Sequence, residues 1–398
     1  MKTMTLAAAL ALGAALSPAL AFPATAGTEK VLFAFTNPDL AYPKGRVFVA
    51  DGSLYATGSG NLHGYGEVIQ LPQGAKEKTL LKFDGTDGAI PYAGLIVDSS
   101  GAFYGTTSSG DAYNAGNVFK LSKSGDKWIQ SVIWDFSAPG DGAYPLSDLV
   151  IDGAGNIYGT TSDGGAYGNG AVFELTNNSG TWSEKLLYSF EGGSNGLQPY
   201  AGLLLGSNGA LYGTTTMGGS GGTVFELTQS GGVWTEQVIY SFTGGADGSY
   251  PCGVLIEDST GALYGTTYDG GNSNECDGIG CGSVFKLTQS GGVWNESTLH
   301  KFTGGNDGGN SFAGLTWGPN FQTLYGTTER FGSNGGGTVF VLKQSGVKWK
   351  LSTLWPFGSG KDGNGSQASV VFDASGNMYG TTQYGGTAGE GTVWEITP

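Results

Sequence analysis

The chain has 398 residues, a formal net charge of −15 and a pI near 4.4, with 75 glycines, 12% aromatic and only 13% charged residues. Such acidity, with arginine only at Arg46 and Arg330, excludes nucleic acid as a partner, because that binding needs a basic stripe. Disordered chains are charge-rich and aromatic-poor; this one is the reverse, and glycine interleaved with aromatic and β-branched runs points to many short strands.

In chain order, Met1-Lys2-Thr3 leads into an apolar run over residues 6–20 and small residues at Ala19-Leu20-Ala21. This reads as a secretory signal peptide over 1–26, cut after Ala21 or Ala26. The run is short for a membrane span, which needs about 20 residues. The expectation is therefore a soluble exported protein over 27–398, secreted, periplasmic or at the cell surface, and a monomer. Residues 29–35 then form a lone predicted strand.

From there the chain repeats itself. Tyr-Gly-Thr-Thr begins at Tyr104, Tyr158, Tyr212, Tyr264, Tyr325 and Tyr379, with Tyr55-Ala56-Thr57-Gly58 as a degenerate first copy. The steps between the tyrosines are 49, 54, 54, 52, 61 and 54 residues. A period near ~50 with strand-like content marks a propeller or a similar radial array. Residues 199–242 show one unit: strand a over 199–205, a turn, strand b over 211–215, a glycine-rich loop, strand c over 223–227, and strand d over 234–242. Four antiparallel strands make one blade. The glycine after each tyrosine is expected where inner strands converge and a side chain would strike the neighbouring blade; Ala56 is the next smallest residue. The chain ends on a strand c, Thr392-Val393-Trp394-Glu395-Ile396. The lone N-terminal strand would complete that last blade, giving an all-β, seven-bladed propeller without open edges.

Whole phrases, Leu211-Tyr212-Gly213-Thr214-Thr215, Gly218-Gly219, Val224-Phe225-Glu226-Leu227 and Tyr240-Ser241-Phe242, resemble the GloVer tandem-repeat (choice-of-anchor) family of exported bacterial proteins. That resemblance covers nearly everything after the leader and implies export with variable C-terminal anchors, but no defined enzymatic activity. The sequence departs from that pattern by running only to its last predicted strand, so attachment through such an anchor is not expected. A looser likeness to kelch repeats, through the glycine pair and the tryptophan opening strand d, reflects shared blade physics.

Cys276 and Cys281 flank four residues in the longest repeat and are expected to form a disulfide in an oxidising compartment. Cys252 reads as a small buried filler at the position of Ala93, Ala201 and Ala313. The Asp-Gly or Asn-Gly steps at Asp87, Asp141, Asn195, Asp247, Asp307 and Asp362 could supply oxygen to Ca²⁺, but turn chemistry explains them first, and no cofactor is expected. His300 reads as packing, since Tyr188 and Tyr240 hold its place.

Loops carry function while scaffolds hold them, and the loops between strands b and c carry the variety. The candidates there are His63, Tyr65, Tyr113, Tyr167, Tyr268, Glu329, Arg330 and Tyr384. Tyrosines stack on sugars or peptides while polar groups orient hydroxyls, so the first expectation is a binding or scaffold module for an extracellular glycan or a cell-surface protein. The alternative is a polysaccharide lyase or hydrolase on the same rim. Asp111, Asp163, Asp269, Glu329 and Glu390 are its candidate carboxyls, and nothing in the sequence selects a pair.

Overall fold

The computed structural model describes residues 28–39, 41–60, 64–137, 140–271, 276–358 and 360–397; the expected leader lies outside the described residues. Among the described residues, seven four-stranded antiparallel sheets stand around one axis as the blades of a β-propeller. Blade four shows the unit: a at Leu204–Leu205, b at Leu211–Thr215, c at Thr223–Ser230 and d at Val233–Ser241. Strand a is far shorter than the sequence suggests, because Tyr200, Ala201 and Gly202 leave the ladder to line the axis. In blade seven, Thr28–Ala34 pairs antiparallel with Thr392–Thr397, from Thr28↔Thr397 to Ala34↔Thr392. One blade therefore holds both ends of the described chain, and the ring closes.

Each letter of Tyr-Gly-Thr-Thr has its own task. The tyrosine hydroxyl reaches back six residues to a turn aspartate, as Tyr104 to Asp98, Tyr264 to Asp258 and Tyr379 to Asp373, each at 2.9 Å. That aspartate also caps turn amides, those of Ser100 and Ala102 for Asp98, so the pair locks the a–b turn. The glycine lies opposite an aromatic residue of strand c, as in Gly213↔Phe225. A Cβ on Gly213 would run into the Phe225 ring and Leu203, both in the same blade. This corrects the expected clash with a neighbouring blade: the glycine makes room for a ring folded over it. In blade one the partner is Ile69, and Ala56 fits.

The first threonine joins blades. Its hydroxyl donates to a backbone carbonyl in the following blade: Thr57 to Ala93 at 2.8 Å, Thr106 to Ser147 at 3.4 Å, Thr160 to Ala201 at 2.8 Å. Thr266 reaches Ala313 at 2.7 Å, Thr327 reaches Ala368 at 3.2 Å, and Thr381 of blade seven reaches Gly45 of blade one at 3.2 Å. The second threonine stays at home, meeting the first residue of strand c, as Thr215 with Thr223 at 2.7 Å.

Apolar packing follows the same blade-to-blade logic. In six seams a phenylalanine just after strand d packs against the strand-c aromatic of the next blade, as Phe190 on Phe225, Phe242 on Phe285 and Phe302 on Phe340, edge-on with centroids 5.1, 5.1 and 5.3 Å apart. All six rings are essentially excluded from solvent. Each such burial stabilises by roughly 1.5–3 kcal/mol, so the core is a closed belt of inter-blade layers.

Toward the outer seams, three half-buried glutamates on strands d, Glu29, Glu184 and Glu236, each keep one carboxylate oxygen buried without a partner. Burial, aided by the nearby acids Asp362, Asp141 and Glu191 respectively, pushes each of them up to about 7. Because the folded values lie above the unfolded ones, this stabilisation is complete below about pH 4.5 and is lost as pH rises through 7. Asp258, held down at about 2 by its hydrogen bonds from Thr260, Tyr264 and backbone amides, works oppositely and loses its contribution only in strong acid. The melting temperature should therefore fall between pH 5 and pH 8, and changing the three glutamates to glutamine should flatten that slope; a pH-independent midpoint would contradict it. Separately, Gly213→Ala should cost about 1–3 kcal/mol in urea unfolding through overpacking, and distinctly less in a Phe225→Ile background.

Candidate functional site

Strand alternation places the b–c loops and the d–a connections on one rim. There each connection turns sharply toward the axis through a residue of left-handed backbone. Tyr42, Ile90, Tyr144, Gln198, Tyr250 and Asn310 have φ between 56° and 59°. For a β-branched residue such as Ile90 that geometry is strained, and it persists because both backbone groups are tied. The Ile90 amide donates to the Tyr65 carbonyl of the preceding blade at 2.9 Å, and the Ile90 carbonyl accepts from Ser108 of its own blade at 3.1 Å.

Past this turn, three successive rings line an axial cavity of about 370 Å³. The outermost ring consists of Lys44, Tyr92, Leu146, Tyr200, Cys252, Phe312 and Gln367. The next is small, and its carbonyls take the threonine hydroxyls described above. In the third, Asp148 ties three blades together: its carboxylate lies 2.7 Å from Arg46 Nε and accepts the Gly94 amide at 2.6 Å. Cys252 is buried but is not aligned with the alanines. The pairings Ile256↔Tyr264 and Leu204↔Tyr212 put it level with Tyr200, and put Gly253 level with Ala201, as the 52-residue step between Tyr212 and Tyr264 requires.

The ring of seven is not uniform at the position directly after the motif. Blades one to four carry Ser59, Ser108, Ser162 and Thr216, whose hydroxyls bond locally to the carbonyls of the left-handed residues, at 2.7, 3.1, 3.2 and 3.0 Å. Blades five to seven carry Tyr268, Glu329 and Gln383 instead. The Tyr268 ring packs 6.1 Å from Tyr250 and 6.2 Å from Phe312, with the Glu329 carboxylate beside its hydroxyl. Gln367 donates to Glu329 Oε1 at 3.1 Å. Tyr200 packs edge-on to Tyr250 at 6.4 Å. A continuous aromatic and polar wall thus runs from blade four to blade seven, while across the mouth Lys44 sits 4.0 Å over the Tyr92 ring.

Burial shapes the protonation of this wall. It raises Tyr250 to about 12, with Tyr200 adding to the effect, and raises Tyr268 further, with Glu329 beside it. These phenols remain protonated donors across the physiological range. Burial also lifts the Asp269 carboxyl to about 6; Asn310 Nδ2 donates to its Oδ1 at 3.4 Å.

The structure brings Tyr268 and Glu329 into this wall and disperses the other sequence candidates. Tyr65, Tyr113, Tyr167 and Tyr384 are 48%, 64%, 58% and 46% exposed, on four different blades. Tyr384 has Tyr42 as a ring neighbour at 5.8 Å, and Tyr167 reaches toward Glu191. Arg330 pairs with Asp277 at 3.6 Å, both well exposed, a contact worth little. His63 lies outside the described residues. The Cys276 and Cys281 sulfurs are bonded to each other, and the bridge packs beside Phe331 in the core between blades five and six. Asp247 and Asp307 serve their connections, accepting from the amides of Thr243 and Thr303 at 2.8 and 3.1 Å. His300 stands 2.9 Å from Asp307, in the place where Tyr240 meets Asp247 at 3.0 Å. Among the described residues no three His, Cys, Asp or Glu side chains converge as a metal site. The axial ring itself was missed in the sequence; its signal is a freely varying residue after Pro43, Pro91, Pro145, Pro199 and Pro251.

The sequence matches the Gloeobacter/Verrucomicrobia repeat over residues 20–221, 130–279 and 277–398. No curated protein matches it. Among solved structures, a Bacteroides fragilis protein described as a 6-phosphogluconolactonase is 15% identical, with 88% of this chain and 92% of that one covered and a TM-score of 0.52. The extracellular domain of a hybrid two-component system from B. thetaiotaomicron is 11% identical over 90% of this chain and 40% of that one, with a TM-score of 0.57. An ulvan lyase bound to a GlcA(1-4)Rha3S unit is 10% identical over 91% and 94%, with a TM-score of 0.50. At these identities the likeness is one of fold.

The protonation of the wall is directly measurable. Carboxyl-carbon NMR should find Asp269 titrating near 6; an ordinary aspartate value would show that its surroundings are wetter than described.

Proposed function

We propose that this protein, which belongs to the Gloeobacter/Verrucomicrobia repeat family, is an exported β-propeller that binds an extracellular glycan at its axial mouth. The observation that carries this reading is the broken ring: Tyr268, Glu329 and Gln383 replace three small, self-satisfied hydroxyl residues at equivalent positions. Nothing in blade packing requires that change, since four blades do without it. Tyrosine and phenylalanine faces for sugar rings, phenol and amide donors for hydroxyls, and one carboxylate acceptor make a suitable set of contacts around a cavity of ligand size. The apolar leader-like run and the Cys276–Cys281 bridge support an oxidising compartment outside the cytoplasm.

A second reading, cleavage of the bound glycan, is favoured by Asp269. A carboxyl held near 6 suits general acid or base work at neutral pH, and Glu329 lies in the same wall. A tyrosine-based lyase is disfavoured, because burial makes these phenols harder to deprotonate.

Glycan-array and calorimetric titration should find a ligand whose affinity drops at least about tenfold, or 1.4 kcal/mol, in Tyr268→Ala and in Glu329→Gln. Tyr113→Ala, far out on the rim, should bind like wild type. Release of new reducing or unsaturated ends that disappears in Asp269→Asn would instead establish the enzyme reading. Equal loss in Tyr113→Ala would move the site off the axis.

A further inference from the structure

We propose that the seam between blades seven and one, on the rim opposite the mouth, is a binding site for an indole-sized aromatic ring. In four other seams the motif tyrosine is packed edge-on by a tryptophan from strand d of the following blade. The pairs are Tyr104–Trp182, Tyr158–Trp234, Tyr212–Trp294 and Tyr264–Trp349, with centroids 6.0, 6.4, 6.2 and 6.2 Å apart. Each tryptophan stands four residues before the strand-d partner of the strand-c aromatic, as Trp234 does before Val238, which pairs with Phe225. In blade one the same count from Thr79, the partner of Ile69, lands on Ala75. The shortened c–d turn of blade one thus supplies a methyl group where its sisters supply an indole.

A cavity of about 370 Å³ lies in that seam, walled by Tyr379, Phe33, Val49, Leu54 and Leu71, with Ala75 among its lining residues. Its polar fittings match a seam that already holds an indole. The Tyr379 hydroxyl lies within hydrogen-bond distance of two carboxylates, Asp373 at 2.9 Å and Glu395 at 3.1 Å. Tyr158, against which Trp234 packs, stands in the same relation to Asp152 at 3.1 Å and Glu174 at 3.0 Å. The chain itself therefore shows which group this environment accepts: a flat ring, edge-to-face on a pinned tyrosine. Glu77, Asp373 and Glu395 outnumber Lys30 among the lining charges, so the ring would belong to a neutral or cationic molecule. Its source is either a free small indole or the tryptophan side chain of a peptide.

The test uses the full mature protein, 5-fluoroindole followed by ¹⁹F NMR, and a Lys-Trp-Lys peptide followed by calorimetry. Saturable binding of either is expected, the tighter one identifying the source. Ala75→Trp, which installs the sister residue at an exposed turn, should weaken that binding at least about tenfold and raise the melting temperature by roughly 2 °C. Val49→Phe, filling the cavity from its other wall, should also abolish binding if Ala75→Trp does not fold. Absence of saturable binding by both probes, or binding retained in a folded Ala75→Trp, would overturn the proposal. Glycan binding at the mouth should be unchanged in both variants, so the two sites fail or stand separately.

Discussion

One hydroxyl in six of the seven blades, the first threonine of the motif, carries the architecture. A propeller blade on its own is a small twisted sheet with one face uncovered, and it persists only against neighbours. Here the threonine reaches across and satisfies a carbonyl that has left its own ladder, in the residue just past the axial turn of the next blade. That carbonyl would otherwise be a buried acceptor without a donor, which costs more than an ordinary hydrogen bond contributes. The same bond frees the preceding residue to face the axis, so the mouth is a by-product of how the ring is tied. Thr381 to Gly45 closes the circle across 336 residues of sequence.

The architecture was legible because it is written repeatedly. Period, strand alternation, the seven-blade count and closure by the N-terminal strand could all be read, since each repeat confirms the others. The reason for the motif glycine could not. A pattern shows that a side chain is forbidden at Gly213, but only the register reveals that Phe225 of the same blade forbids it. Site residues were legible only in part. Tyr268 and Glu329 stood out as departures from repeat symmetry, and the structure places them side by side. Tyr65, Tyr113 and Tyr167 were nominated for lying in variable loops, yet loop variation alone does not set direction, and they point to separate stretches of solvent. The axial ring was overlooked because residues 199–203 look like strand; only the two-residue ladder at Leu204–Leu205 shows where strand a begins.

Deviations from sevenfold sameness separate scaffold from site. Residues that recur with the same bonds, such as Asp98, Asp152, Asp258 and Asp373 with their motif tyrosines, are accounted for by packing. What remains is a short inventory: a polar wall in blades five to seven, a basic patch at Lys44, an axial ion pair at Arg46 and Asp148, and a seam lacking its tryptophan. Each lies where the ring could vary without loosening.

The ring contains its own control. Among the first threonines of the motif, Thr214 has its hydroxyl buried without an acceptor, at the seam where Cys252-Gly253 form the axial pair. Equilibrium unfolding of Thr160→Val and Thr214→Val compares a hydroxyl tied to the Ala201 carbonyl and to Ser147 Oγ with an untied one at the same position of the blade. Inter-blade bonding as the organising constraint predicts a loss of about 1–2 kcal/mol for Thr160→Val and no loss, or a gain, for Thr214→Val. Equal destabilisation by both would mean that the hydroxyls do not hold the ring together.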